Sequence, residues 1–457
     1  MSEASFLGDL LQTIAERGRR LLARGGGPDD GRNGALAALC ERLIASRGEA
    51  SSLALSQEIL ERWAALSEAD RRAFMTMLLE SFGPDRAKLD AAVEAYRGAP
   101  TPKAAQRLHE ASEPRRQELI RRLNSAPDGM AALVRMREAL IALKADDPGL
   151  AVVDDDFAHL FGSWFNRGFL VLKPIDWATP ANVLEKIIRY EAVHEIRDWE
   201  ELRRRLEPPD RRCFAFFHPR LVDEPLIFVE VALTTDMPAT VAEVLAPDRA
   251  PIAAEQASAA VFYSISNCQE GLRGVSFGNF LIKQVVEDLR RDLPELATFV
   301  TLSPVPGFAA WLAREREAPD SEALSAEDRA ALAVLDDRGW MDDAEAVETV
   351  RPALTRACAW YLVNARTSRG APVDPVARFH LGNGARLERV NFLADRSPRA
   401  MRQAHGMMVN YLYELDDIET NHEAFFDRGE VAASSSVRRL ARRARAADAK
   451  PAELPAK

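Results

Sequence analysis

The chain has 457 residues, 47% hydrophobic and 28% charged, a globular balance with length for two or three domains. Its formal net charge of -10 speaks against a nucleic-acid binder, which normally carries a basic face. No run reaches the ~18 apolar residues of a membrane span. The four cysteines, Cys40, Cys213, Cys268 and Cys358, form no CxxC or Cys/His cluster with metal spacing, and they read as buried small apolar residues in a reducing compartment.

The N-terminus, MSEASFLGDLLQTIAERGRRLLARGGG, predicts an amphipathic helix with Phe6, Leu7, Leu10, Leu11, Ile14, Leu21 and Leu22 on or near one face. It lacks the charged, apolar and small-residue order of a signal peptide. The C-terminus, LPAK, is not a peroxisomal address. The expected location is a bacterial-type cytoplasm. Apolar residues recur at three and four up to about Trp164, which predicts an all-helical region over residues 1–164. Ser67-Glu68-Ala69-Asp70 reads as a loose capping box, and Gly83-Pro84 and Pro100 to Pro102 punctuate successive helices. His109 and His159 are lone histidines in helical settings. The plain reading of this region is an interaction or oligomerisation domain.

Strand patterns begin after Trp164, opening a mixed α/β region over residues 165–457. GFLVLKPIDW comes first, then Cys213 to His218, Leu226 to Leu233, Ala260 to Ser266 and Thr298 to Ser303. Asp223-Glu224-Pro225 predicts a hairpin turn, and a helix from about Phe277 to Arg291 makes a strand–helix–strand unit. A helical insertion is expected over about 311–370, with Ser325-Ala326-Glu327-Asp328 capping a helix and ACAWYLVNA buried. Val376 to Leu381 and Ala385 to Leu393 read as strands joined at Asn383-Gly384, a strong hairpin signal. GMMVNYLYEL ends the fold. The basic tail, about 434–457, carries Arg438, Arg439, Arg442, Arg443 and Arg445 and reads as helical or disordered.

Three places carry candidate chemistry. The apolar run Val261 to Ile265 breaks into a loop with Gly271, Gly274 and Gly278, and helical spacing resumes at Phe280. Strand, glycine loop and helix N-terminus suit a phosphate, because backbone N–H groups and the helix dipole favour an anion. Within it, Arg273-Gly274-Val275-Ser276-Phe277-Gly278-Asn279 is the candidate anchor, an ordinary strand-to-helix turn being the alternative. It is neither a Walker A loop nor a G-x-G-x-x-G fingerprint. Ser303, before Pro304-Val305-Pro306, stands at the end of the next strand, where open α/β sheets place ligands; a cap on a proline turn is its other reading. His380, read on a half-buried strand, is either a packing residue or a proton-transfer group. His194, His218, His405 and His422 remain generic. No G-x-S-x-G elbow surrounds Ser303, which ranks a hydrolase low.

The segments FYSISNCQEGLRGVSFGNFLIKQVV, TLSPVPGFAAWL, ACAWYL, PVARFHLGNGARLERVNFLAD and MMVNYLYEL together resemble the malonyl-CoA decarboxylase family, in that family's order and over most of the chain from about Trp164. The resemblance implies an α+β protein: a helical N-terminal domain used for oligomerisation, then a catalytic domain of the acyl-CoA N-acetyltransferase (GNAT) superfamily fold. It implies conversion of malonyl-CoA to acetyl-CoA and CO2 without biotin, metal or other prosthetic group. The family's coenzyme A phosphate loop falls on Arg273 to Asn279, its catalytic Ser on Ser303, its catalytic His on His380 and a pocket Tyr on Tyr413. The expected partners are malonyl-CoA, acetyl-CoA and further copies of the chain, with no nucleic acid and no membrane. The loop departs from the acetyltransferase pattern Q/R-x-x-G-x-G/A: counting from Gln269, Leu272 stands at the first Gly position and only Gly274 fits. Two other readings stay open, an acyl-CoA-dependent N-acetyltransferase and a non-catalytic acyl-CoA sensor.

Overall fold

Helical spacing becomes helix throughout the first part of the chain. The structure, a computed structural model, describes residues 13, 14, 16, 17, 32–275, 277, 281–337 and 339–442. Most of the predicted N-terminal amphipathic face, and Arg443 and Arg445 of the tail, lie outside the described residues. The chain divides into two compact units. One comprises Met1–Lys173, Phe216–Ile227 and Asn267–Gly278; the other comprises Pro174–Ala215, Phe228–Ser266 and Asn279–Lys457.

The first unit carries α1 (Arg32–Ala45), α2 (Glu49–Ala64), α3 (Glu68–Ser81), α4 (Arg86–Gly98), α5 (Pro102–Ser112), α6 (Arg115–Asn124), α7 (Gly129–Lys144) and α8 (Ala151–Trp164). Ser67 caps α3, its hydroxyl accepting from the Asp70 amide at 3.2 Å, as the capping pattern predicts. Leu133, Leu140, Phe157 and Phe161 are enclosed at helical spacing on α7 and α8. Charged groups buried among them are paired, as desolvation requires. Arg137 gives Nε to Asp154 at 2.8 Å and Nη1 to the Gly271 carbonyl at 2.9 Å. Helices α4 and α5 bury none of their residues.

The second unit holds most of a mixed sheet. Its elements are β1 (Val171–Ile175), α9 (Ala181–Tyr190), α10 (Trp199–Leu206), β2 (Arg211–Phe217), β3 (Pro225–Thr234), α11 (Val241–Leu245), β4 (Ala259–Asn267), α12 (Leu281–Asp292), β5 (Thr298–Thr301), β6 (Ser303–Pro304), α13 (Phe308–Glu317), α14 (Ala326–Leu332), α15 (Ala344–Val363), α16 (Pro375–Gly382), β7 (Arg386–Asn391), α17 (Pro398–Ala404), β8 (Met408–Leu412), α18 (Ile418–Arg428) and α19 (Ser435–Leu440). The strand order is β1-β2-β3-β4-β5-β8-β6, and β7 pairs with β8. β4 and β5 are parallel, with Ala259 opposite Thr298 and Phe262 opposite Thr301, and α12 is the crossover between them. That helix buries Leu281, Ile282, Val285, Val286 and Leu289, one stripe at helical period. Val261, Tyr263, Val300, Leu302 and Met408 form a core on the sheet. The α+β class, helical first and mixed sheet after, is the expected one.

One predicted hairpin is not formed. The segment read as a strand over Val376 to Leu381 is the helix α16. Asp374 caps it, accepting from the Ala377 amide at 2.8 Å, and Pro375 occupies the first turn, where its missing N–H costs nothing. Asn383-Gly384, taken for a hairpin, is the helix's C-terminal stop. Gly384 has φ +82°, and a Cβ there would meet the Ile418 carbonyl at 2.2 Å. An Asn-Gly pair after an eight-residue apolar segment serves a helix end as well as a hairpin, so only the Asp-Pro start decides between them.

Candidate active site

Ser303 opens β6, opposite Val409 of β8, and is buried. Two residues earlier, Thr301 ends β5 with its side chain enclosed. The Ser303 hydroxyl donates to Thr301 Oγ1 at 2.8 Å, and the Tyr411 amide donates to the same oxygen at 3.2 Å. The strands beneath are pinned by Asn410. Its Nδ2 donates to the Thr301 carbonyl at 2.8 Å, and its Oδ1 accepts from Arg389 Nε at 3.0 Å and from Asn391 Nδ2 at 2.7 Å. Each polar atom of this buried side chain is satisfied, so it fixes β5, β7 and β8 without a desolvation penalty.

His380 comes to Ser303 from the last turn of α16. Nε2 lies 3.1 Å from Ser303 Oγ, and Nδ1 lies 2.8 Å from the Tyr413 hydroxyl. The Tyr411 ring stacks on the imidazole at 4.6 Å and 23°. Tyr413 follows β8, its amide donating to the Phe299 carbonyl at 2.8 Å and its ring meeting Phe262 edge-on. A helix C-terminus favours a cation, but burial wins here and pushes His380 down to about 3. The imidazole is therefore neutral near pH ~7. With the Ser303 hydroxyl donating to Thr301, the ring carries its proton on Nε2 and accepts at Nδ1 from Tyr413, whose phenol burial holds far above its usual range. A neutral donor fixed in a dry pocket is suited to holding a developing oxyanion.

Ser303, His380 and Tyr413, chosen from the sequence, thus come together. Thr301 and Tyr411 complete the cluster and carried no sequence signal beyond strand pattern. Of the predicted anchor loop, Ser276, Gly278 and Asn279 lie outside the described residues. Arg273 is exposed and paired with Glu270, Val275 is buried, and Phe277 meets Phe165 edge-on at 6.5 Å. Gly274 has φ +76° with open space around its Cβ position, so its glycine serves backbone conformation. Gly271 serves packing: a Cβ would lie 2.0 Å from the Val134 carbonyl of α7. The four cysteines are buried, as expected, and none is in a disulfide. Among the described residues, no helix is long and apolar enough to cross a membrane, and no three His, Cys, Asp or Glu side chains are grouped to hold a metal ion.

Two family models match the chain. The malonyl-CoA decarboxylase C-terminal domain matches residues 168–451, and the malonyl-CoA decarboxylase N-terminal domain matches 82–165. The crystal structure of malonyl-CoA decarboxylase from Rhodopseudomonas palustris is 61% identical, covers 90% of this chain and all of its own, and superposes with a TM-score of 0.87. That from Agrobacterium vitis is 62% identical, covers 89% of this chain and all of its own, and gives 0.85. The mitochondrial malonyl-CoA decarboxylase of Anser anser anser is 34% identical over 415 residues, 84% of this chain and 82% of that protein.

Proposed function

The chain belongs to the malonyl-CoA decarboxylase family, a family of carboxy-lyases, and from that premise we propose that it converts malonyl-CoA to acetyl-CoA and CO2 at the Ser303–His380–Tyr413 cluster. The observation that carries this reading is a neutral, enclosed His380 held between a serine and a tyrosine hydroxyl. Breaking the bond to the carboxylate leaves its electron pair on the thioester as an enolate, and CO2 departs. The α-carbon then takes up one proton. Ser303 orients the malonyl carboxylate out of the thioester plane. His380 donates through Nε2–H to the enolate oxygen, and a pocket closed to water strengthens that hydrogen bond. Tyr413 occupies Nδ1, which keeps Nε2 the donor.

The loop Arg273 to Asn279 serves in this reading as the anchor for the coenzyme A phosphates. Hydrogen-bond donors supply the enolate stabilisation, so the reaction calls for neither biotin nor metal. The helical region assembles copies of the chain: α4 and α5 bury no residue of their own, and Tyr96 is exposed on them. A cytoplasmic setting rests on four buried cysteines with no disulfide between them.

Turnover of Ser303→Ala and His380→Ala with malonyl-CoA tests the assignment. Loss of about 10²- to 10⁴-fold in CO2 release is expected in each. Near wild-type rates in both would overturn it. The same incubation of the wild-type chain, followed by mass spectrometry, separates the other readings. Decarboxylation yields acetyl-CoA with no added acceptor, an N-acetyltransferase requires an amine, and a sensor returns malonyl-CoA unchanged.

A further inference from the structure

The second unit contains a cavity of about 880 Å³, bounded by the turn after α9, the end of α10, the α11 region and the approach to α17. Thr301, Ser303, His380 and Tyr413 are not among its lining residues. Seven arginines face it against three glutamates and one aspartate, an excess of positive charge in a chain of net charge -10. Five of the seven are engaged, Arg197 and Arg204 with Glu201, Arg205 with Glu230, Arg249 with Asp210 and Arg211 partly with Asp210, which leaves Arg399 and Arg402 without an ion pair among the described residues. Asp210 is clasped by Arg249 at 2.6 and 2.8 Å, so Arg211 beside it is only partly neutralised. Arg211 is 3% exposed, and its Nε has no hydrogen-bond partner. A buried guanidinium N–H left unpaired is costly and points to a group that answers it. Arg399 donates to the Ala192 carbonyl alone, and Arg402 has no ion-pair partner among the described residues.

The wall is built, not incidental. Glu191 accepts from the Val193 and His194 amides at 2.7 Å each, and from the Ser264 hydroxyl at 2.6 Å. This fixes the turn that carries His194 into the cavity lining. The other ring nitrogen, Nδ1, donates to the Tyr263 backbone, and Nε2 is buried without a partner. Burial holds this imidazole neutral, down to about 4, so the free nitrogen is an acceptor. Asp395 on the same wall adds a second acceptor.

We propose that this cavity is a second ligand site, separate from the decarboxylation centre, for a small molecule with a carboxylate or phosphate for Arg211, Arg399 and Arg402 and an adjacent hydroxyl for His194. The anionic group supplies the charge-assisted contacts, and the hydroxyl answers the bare imidazole nitrogen. Hydroxy-polycarboxylates and hydroxyl-bearing phosphates share this chemistry. The site rests on the cavity and its unpaired groups, not on the roles given to Ser303 and His380.

Calorimetric titration of the full chain with citrate and, separately, with glycerol 3-phosphate tests it. Saturable binding of either is expected, and which one binds tighter assigns carboxylate or phosphate. Arg402→Gln, at an exposed position with no ion pair, should weaken that binding about tenfold, and Arg399→Gln with Arg402→Gln should weaken it further. His194→Phe should weaken the hydroxylated ligand more than it weakens tricarballylate, which is citrate without its hydroxyl. The KM for malonyl-CoA should stay at the wild-type value in Arg402→Gln, with thermal unfolding unchanged. No saturable binding of either probe would overturn the proposal, as would binding indifferent to Arg402 and Arg399. Competition between the probe and malonyl-CoA, with KM rising in Arg402→Gln, would also overturn it by making the cavity part of the substrate's own site.

Discussion

The Tyr413 hydroxyl and His380 Nδ1 lie 2.8 Å apart, with the edge of the phenol ring against the imidazole and neither group open to water. The contact sets which ring nitrogen holds the proton, and therefore what His380 can offer a substrate.

Tyr413→Phe removes this donor while keeping the ring. The imidazole is then free to place its proton on Nδ1, which turns Nε2 from donor to acceptor. We expect kcat to fall about tenfold to a hundredfold, the worth of one strong hydrogen bond in a dry site, with KM little changed. Steady-state CO2 release measures both. An unaltered kcat would show that the tautomer is set elsewhere.

Thr301 acts through Ser303. In Thr301→Val the Tyr411 amide and the Ser303 hydroxyl both lose their acceptor. A buried donor left unpaired costs about 1–3 kcal/mol, so urea unfolding should register the change. Thr301→Ser keeps the oxygen and should restore kcat towards wild type. If Val and Ser variants have equal turnover, the Ser303 hydroxyl does not need this partner.

The depressed His380 has a pH signature. Its folded value is about 3, against ~6.5 in an unfolded chain. Between these values the unfolded state binds a proton that the folded state refuses. Stability from this site is therefore complete above pH ~6.5 and is lost as pH falls towards the folded value. His380→Gln lacks the linkage. The stability difference between wild type and His380→Gln should narrow by about 2 kcal/mol between roughly pH 8 and pH 4.5. Denaturant midpoints at the two pH values provide the check, and a constant difference would place His380 in a more hydrated setting.

Gly271, in the turn that leads into the anchor loop, and Gly274, within it, should behave oppositely. Gly271→Ala forces a Cβ to 2.0 Å from the Val134 carbonyl, with backbone on both sides and nothing flexible to give way. A loss of about 3 kcal/mol or more is expected. Gly274→Ala meets no atom within 4 Å and bears only its φ of +76°, a cost of about 1 kcal/mol. Equal urea midpoints for the two variants would contradict the packing of this loop on α7.

What the sequence made legible followed from period and punctuation. The stripe of α12 and the apolar run of β4 announce themselves locally, and so does the Ser67 cap. Ser303 is singled out from its place after an apolar strand, and Tyr413 only through the family resemblance; the structure brings both to one imidazole. His380 is read on a strand and stands on a helix. An apolar segment of eight residues carries too little period to separate strand from helix, and Asn-Gly suits both endings. Thr301, Tyr411 and Asn410 were out of reach for another reason. Their importance lies in hydrogen bonds between strands far apart in the chain, such as Asn410 to the Thr301 carbonyl, and no local spacing encodes such a bond.

Arg137 spans Asp154 and the Gly271 carbonyl, and Val134 leaves no space for a side chain at 271. Segments more than a hundred residues apart in sequence are thereby matched surface to surface, like a key cut for one lock. Recombination that exchanged the helical region between distant relatives would pair foreign contours beneath the glycine turn. Residue 134 meets Gly271 through its carbonyl, which any residue there would carry, so Arg137, Asp154 and Gly271 are the positions expected to change together or stay as they are.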